Sequence, residues 1–120
     1  MSPDKKTIGV SAESQRILDI ISDKTMYHDQ VDSGRFAVAY ALARGLEPEK
    51  STDLSTKWNI GSFDSSGDLR SSILAFCPEC ETPYRYAEGL LSSGLLALKA
   101  HIEVQGQLDF ELLLEELNQD

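Results

Sequence analysis

The sequence predicts one mainly α-helical domain opened by a single short strand, and three observations carry that reading. Apolar residues alternate with period two around Ile8 and Val10. In the later segments they recur instead at three- and four-residue spacing. Residues that start and stop helices bracket those segments: Ser11, Gly45, Thr82 with Pro83, Gly106 and Asp109. The whole of 1–120 reads as one domain, because a chain of this length buries roughly two thirds of its unfolded surface and needs no metal or disulfide to hold a core.

The strand comes first. Between Lys5 and Ser11, Ile8 and Val10 fall on one face and Lys5, Thr7 and Gly9 on the other. The Ser11 hydroxyl can accept from the free amide near Ser14, which starts a helix over 12–24 with Ile17, Leu18, Ile20 and Ile21 as its apolar stripe. Asp29, Asp32 or Ser33 starts a second helix. Phe36, Val38, Ala39, Tyr40, Leu42 and Ala43 make that helix apolar almost all round as far as Gly45, so it belongs at the centre of the core.

Residues 46–67 are the long connection, rich in Ser and Thr, with Trp58, Ile60 and Phe63 as its anchors in a short extended piece. Asp68 to Phe76 forms a short helix with Leu69, Ile73 and Leu74 inward, ended by Pro78. Thr82-Pro83 opens the next helix, since proline at the first helical position lacks an amide that would have no partner there. That helix runs to about residue 103, and Gly89, Ser93 and Ala97 form a stripe small enough for another helix to approach closely. After Gly106, Asp109 caps a last helix carrying Phe110, Leu113, Leu114 and Leu117.

Charge narrows the function. The chain holds 20 acidic and 11 basic residues, a net of −9, and the excess lies in residues 51–120, which carry −8 of it. Beyond Ala100 there are six acidic residues and no Lys or Arg. Such an end repels nucleic acid, so a general nucleic-acid coat is disfavoured and any DNA contact falls to a local basic patch in the first half. Glu111, Glu115 and Glu116 form the acidic face on which a basic protein partner is expected. The densest apolar stretch, Tyr86 to Leu98, is interrupted by Glu88, Gly89, Ser92, Ser93 and Gly94, whereas a membrane span needs about 20 mostly apolar residues. No apolar run follows Lys5 and Lys6, so no secretory signal is read. The expected location is the cytoplasm, without membrane contact.

Chemistry-bearing motifs are sparse. The sequence shows no GxSxG elbow, no glycine-rich phosphate loop and no HExxH, and the carboxylates of the last helix are spaced as an exposed face. The reading is a protein that is not an enzyme and uses no cofactor. Cys77-Pro78-Glu79-Cys80 has the spacing of half a zinc site, but the two histidines, His28 and His101, are far apart in sequence. In a thioredoxin-like site the first cysteine opens a helix after a strand, whereas this pair follows a helix. No metal is expected; Cys77 and Cys80 are the candidate ligands if one binds, and packing at a helix corner is their plainer role.

The order of strand, Ser11-capped helix, turn and apolar helix over residues 1–45 is similar to a ribbon-helix-helix unit, in which strands of two chains pair into a ribbon that enters the major groove. The resemblance implies a homodimer through Ile8 and Val10, with DNA contact by Lys5, Lys6, Thr7 and Arg35. Arg35 would act from a turn, Asp32 to Arg35, whose amides meet a phosphate. The plainer alternative pairs the strand within its own chain. A second resemblance spans about Tyr27 to Leu117. Phe36 to Gly45 (FAVAYALARG), the Trp58 and Ile60 anchor, Tyr86 to Leu90 (YAEGL) and Gly94 to Leu98 (GLLAL) resemble Dnd system-associated protein 4, a group of small proteins associated with bacterial DNA phosphorothioation. That group brings no catalytic motif.

The expected function is a non-enzymatic binding or regulatory protein of a bacterial or phage DNA-related system, in defence or modification. Residues 1–45 would serve dimerisation or DNA contact, and the acidic helical part, 68–120, would meet a protein partner. The alternative is an acidic inhibitor that imitates nucleic acid and occupies the basic site of a partner enzyme.

Overall fold

The computed structural model describes residues 3–24, 29–50, 53–106 and 109–117, and among these all side chains but those of 23, 24, 110, 114, 116 and 117. His28 therefore lies outside the described residues. The elements are β1 (Thr7–Val10), α1 (Ala12–Lys24), α2 (Gln30–Arg44), β2 (Ser55–Asn59), α3 (Ile60–Phe63), α4 (Asp68–Phe76), α5 (Pro83–Gln105) and α6 (Phe110–Leu117). The fold is mainly helical behind a short N-terminal strand, as the sequence predicts. No helix among the described residues is long and apolar enough to cross a membrane.

Most helix ends form where local chemistry places them. Ser11 Oγ accepts the Ser14 N–H at 3.0 Å, Asp29 Oδ1 the Val31 N–H at 3.0 Å, and Asp109 Oδ1 the Leu112 N–H at 3.1 Å. Gly45 ends α2 at φ 67°, where a side chain would be strained, and its N–H reaches the Ala41 and Leu42 carbonyls. The start of α5 is different: the Thr82 side chain makes no capping bond. Asp4 supplies it from across the chain, accepting the Tyr84 N–H at 2.8 Å and the Arg85 N–H at 3.1 Å. Asp64 does the same for α4 through the Leu69 and Arg70 amides, at 3.0 and 3.1 Å.

Helix α5 runs through the core, with Ala87, Leu90, Leu91, Leu95 and Leu98 buried against Val38, Ala41 and Leu42 of α2 and Ile17, Leu18 and Ile21 of α1. Close approach of α2 to α5 occurs at Gly94, where a Cβ would overlap the Ala37 carbonyl. The Gly89–Ser93 stripe receives a loop instead of a helix. The Glu49 N–H donates to the Gly89 carbonyl at 3.0 Å, the Ser93 hydroxyl donates to the Glu47 carbonyl, and a Cβ at 89 would lie 2.6 Å from Pro48 Cβ. On α1, Ile20 is 39% exposed: positions 17, 18, 20 and 21 span more of the helix than one face can bury.

The expected ribbon is corrected by the sheet. β1 pairs antiparallel with β2 of its own chain, Ile8 opposite Trp58 and Gly9 opposite Thr56, with Lys57 as the extra residue at an irregularity between them. Ile8 and Val10 are buried in the core as the ribbon reading also expects, but β1 takes its strand partner from β2 of the same chain. Gly9 is not outward. It is buried beside Leu54 Cβ, and its N–H donates to Glu88 Oε2 of α5 at 2.8 Å. A strand this short needs a paired edge, and β2, drawn in by the Trp58–Phe63 stack at 5.1 Å, provides it.

Candidate functional site

The residues assigned to DNA contact do not form one basic patch. Lys5 reaches inward, its ammonium 2.5 Å from Glu88 Oε2, and only Lys6 of the pair is exposed. Thr7 is half-buried. Arg35 sits within α2, 4.0 Å from Asp32, and the Asp32–Arg35 segment is not a turn. The Asp32 and Ser33 amides already donate to the Asp29 carbonyl, while Gly34 is buried with Trp58 Cη2 3.0 Å from where a Cβ would stand. A phosphate approaching there finds no open helix start.

Glu88 is the polar residue the sequence did not single out. It lies on the inward face of α5, its side chain 9% exposed, and ties that helix to β1 and to the residues before it by accepting from Gly9 and Lys5. Its position interrupting an apolar stretch was the signal available, but its partners stand 83 and 79 residues away. Beside it opens a cleft of about 580 Å³ between the loop after α2 and the first turns of α5, lined among others by Pro48, Leu54, Arg85, Tyr86 and Ser92. Burial, followed by the nearby Cys77, Glu47 and Cys80, pushes the Tyr86 hydroxyl above its ordinary pKa. The cleft offers a neutralised carboxylate, hydroxyls and apolar wall, which suits binding more than bond-breaking.

Asp64 is the second buried carboxylate, and it is spent on structure. Besides capping α4 it accepts from the Tyr84 hydroxyl at 2.9 Å. Burial first, then the Asp64 hydrogen bond and charge, push the Tyr84 pKa up to about 12.

Cys77 and Cys80 are free, half-buried thiols at the corner between α4 and α5. The Cys80 N–H donates to the Cys77 carbonyl at 3.0 Å, closing a turn with Pro78 at its second position. Burial, with Glu79 and Cys80 adding to it, raises the Cys77 pKa, the opposite of what an activated thiolate nucleophile requires. His101 does not join them: its Nε2 accepts the Asp109 N–H at 3.0 Å, fixing the start of α6. Among the described residues no group of three or more His, Cys, Asp or Glu side chains is placed to hold a metal.

Helix α6 presents Glu111 and Glu115 as exposed carboxylates while Leu113 is buried; the Glu116 side chain is not among the described ones. Lys99 on α5 lies 3.8 Å from Glu103 and 3.5 Å from Glu13 of α1. No family model matches the chain, and no curated protein or solved structure matches it.

Proposed function

We propose that this chain is a non-enzymatic binding and regulatory protein of a bacterial or phage DNA-related system, and that it engages a basic protein partner through its acidic C-terminal face. The observation that carries the reading is α6. Glu111 and Glu115 stand exposed one helical turn apart, in a stretch beyond residue 100 that contains no Lys or Arg to neutralise them. A face of one sign steers a partner of the other sign and penalises like-charged ones. The buried ionisable groups add support, because Glu88 and Asp64 are engaged in joining elements rather than aimed at a substrate. The association with DNA modification or defence rests on the resemblance to Dnd system-associated protein 4.

The same carboxylates support the second reading, an inhibitor that imitates nucleic acid. Direct DNA contact is the weaker arm, since Lys5 is committed to Glu88 and Lys6 is left with Arg35 on a separate element. A gel-shift titration of the chain against duplex DNA at low ionic strength tests this ordering. No shift is expected at high protein concentration. A shift that disappears on Lys6→Ala, with a salt slope near −0.9 per phosphate contact, would move the function to the strand end and overturn the proposal.

A further inference from the structure

We propose that the cleft between the loop after α2 and the first turns of α5 binds a small planar carboxylate that carries a neutral ring N–H. One stripe of α5 forms its floor. Arg85, Glu88 and Ser92 stand at positions i, i+3 and i+7, so their side chains leave the helix on one side along about 10 Å. Two of the three are buried polar residues with bonding capacity the fold does not use. Glu88 Oε2 accepts both the Lys5 ammonium and the Gly9 N–H, while Oε1 has no partner among the described residues. Ser92 is 5% exposed, and its hydroxyl has no partner among them either. No fully buried side-chain oxygen of the described residues lacks a partner, so both atoms reach open space, and the cleft is the space that Glu88 and Ser92 line. Polar atoms so nearly enclosed are seldom left unbonded, and a ligand that enters the cleft completes them.

Charge selects the ligand. Lys5 already balances the Glu88 carboxylate, so Oε1 accepts a neutral N–H and has no need of a second cation. At the outer end the Arg85 side chain is exposed and forms no ion pair among the described residues, which leaves its guanidinium fork for a carboxylate. Glu47 and Glu49 share the rim with Lys50, so the mouth holds no excess of positive charge that would draw in a polyanion. Between the two ends Pro48, Leu54 and Tyr86, all half-buried, offer the apolar and aromatic surface that suits a flat ring. The loop wall is pinned to α5 by the Glu49 N–H to Gly89 carbonyl and Ser93 hydroxyl to Glu47 carbonyl bonds, so little ordering is left for the ligand to drive. The ligand is bound and not converted. No residue of α6 lines the cleft, so this site is independent of the acidic face and its partner.

The test titrates the full, isotope-labelled chain with indoleacetate while backbone amide resonances are followed by NMR. The expected result is a saturable shift centred on the cleft, at the amides of Glu49, Glu88, Gly89 and Ser92. Methylating the indole nitrogen removes the donor to Oε1 and should weaken binding about tenfold. Adenosine monophosphate, which carries more negative charge, should bind more weakly than indoleacetate. Arg85→Gln should weaken indoleacetate binding several-fold with circular dichroism unchanged, and added salt should weaken binding to the native chain more than to this variant. The absence of a saturable shift at millimolar probe, shifts centred outside the cleft, equal affinity for the methylated probe, tighter binding of adenosine monophosphate, or native affinity in Arg85→Gln would each overturn the proposal. The probe comparisons use the native chain and remain decisive if the variant fails to fold.

Discussion

Lys5 and Glu88 show most directly what a single residue does in this molecule. The carboxylate is taken from water onto an inward helix face and held there by one ammonium and one backbone amide. Removing the ammonium leaves the charge under-compensated, so Lys5→Ala should destabilise the chain by about 1–3 kcal/mol in urea denaturation. Glu88→Gln keeps an oxygen for the Gly9 N–H and loses only the ion pair, so its cost should be smaller than that of Glu88→Ala. Equal costs for the two would mean that the Gly9 bond contributes nothing. Tyr84 supplies a test in pH. Its proton is held to about 12 in the folded chain against an ordinary value of 10.0, so its contribution is intact below pH 10 and is lost as pH rises from 10 towards 12. Tyr84→Phe should flatten the fall in melting temperature across that window, and an unchanged fall would show that other groups control it.

Between elements, the contact of α2 with α5 depends on Gly94. In an isolated helix, alanine in place of glycine gains about 1 kcal/mol. Here the added methyl would overlap the Ala37 carbonyl, and overpacking of a fixed core costs about 1–3 kcal/mol, so Gly94→Ala should lower the melting temperature. A rise would show that the two helices part without cost. The start and stop chemistry of α1, α2 and α6 was legible because Ser11, Asp29, Gly45 and Asp109 act within a few residues of themselves. The strand's partner was not legible from the N-terminal half alone, and a ribbon from a second chain satisfied the same alternation as β2 does. Asp4, Asp64 and Glu88 were missed as organising residues for a related reason. Each is an ordinary acidic residue locally, and Asp4 and Glu88 find partners about 80 residues away, which periodicity does not reveal. Of the candidate site, the acidic α6 was legible from composition, whereas Lys5 read as a free cation because its partner lies on α5.

On the scale of the whole molecule, three lysines are engaged within the fold while carboxylates stand outward at the C-terminal end. Lys5 is paired with Glu88, Lys57 donates to Gln15 at 2.7 Å, and Lys99 lies between Glu13 and Glu103. The remaining surface of α6 carries negative charge that nothing beyond residue 100 offsets. A molecule arranged in this way attracts a basic surface at long range, and the attraction weakens with salt. The most direct test is a quantitative pull-down from a bacterial lysate with the full chain as bait, with and without nuclease, alongside a Glu111→Lys, Glu115→Lys variant of unchanged circular dichroism. A basic protein should be retained after nuclease treatment and lost with the variant. Recovery that disappears with nuclease, or that is the same for native chain and variant, would contradict an acidic docking face.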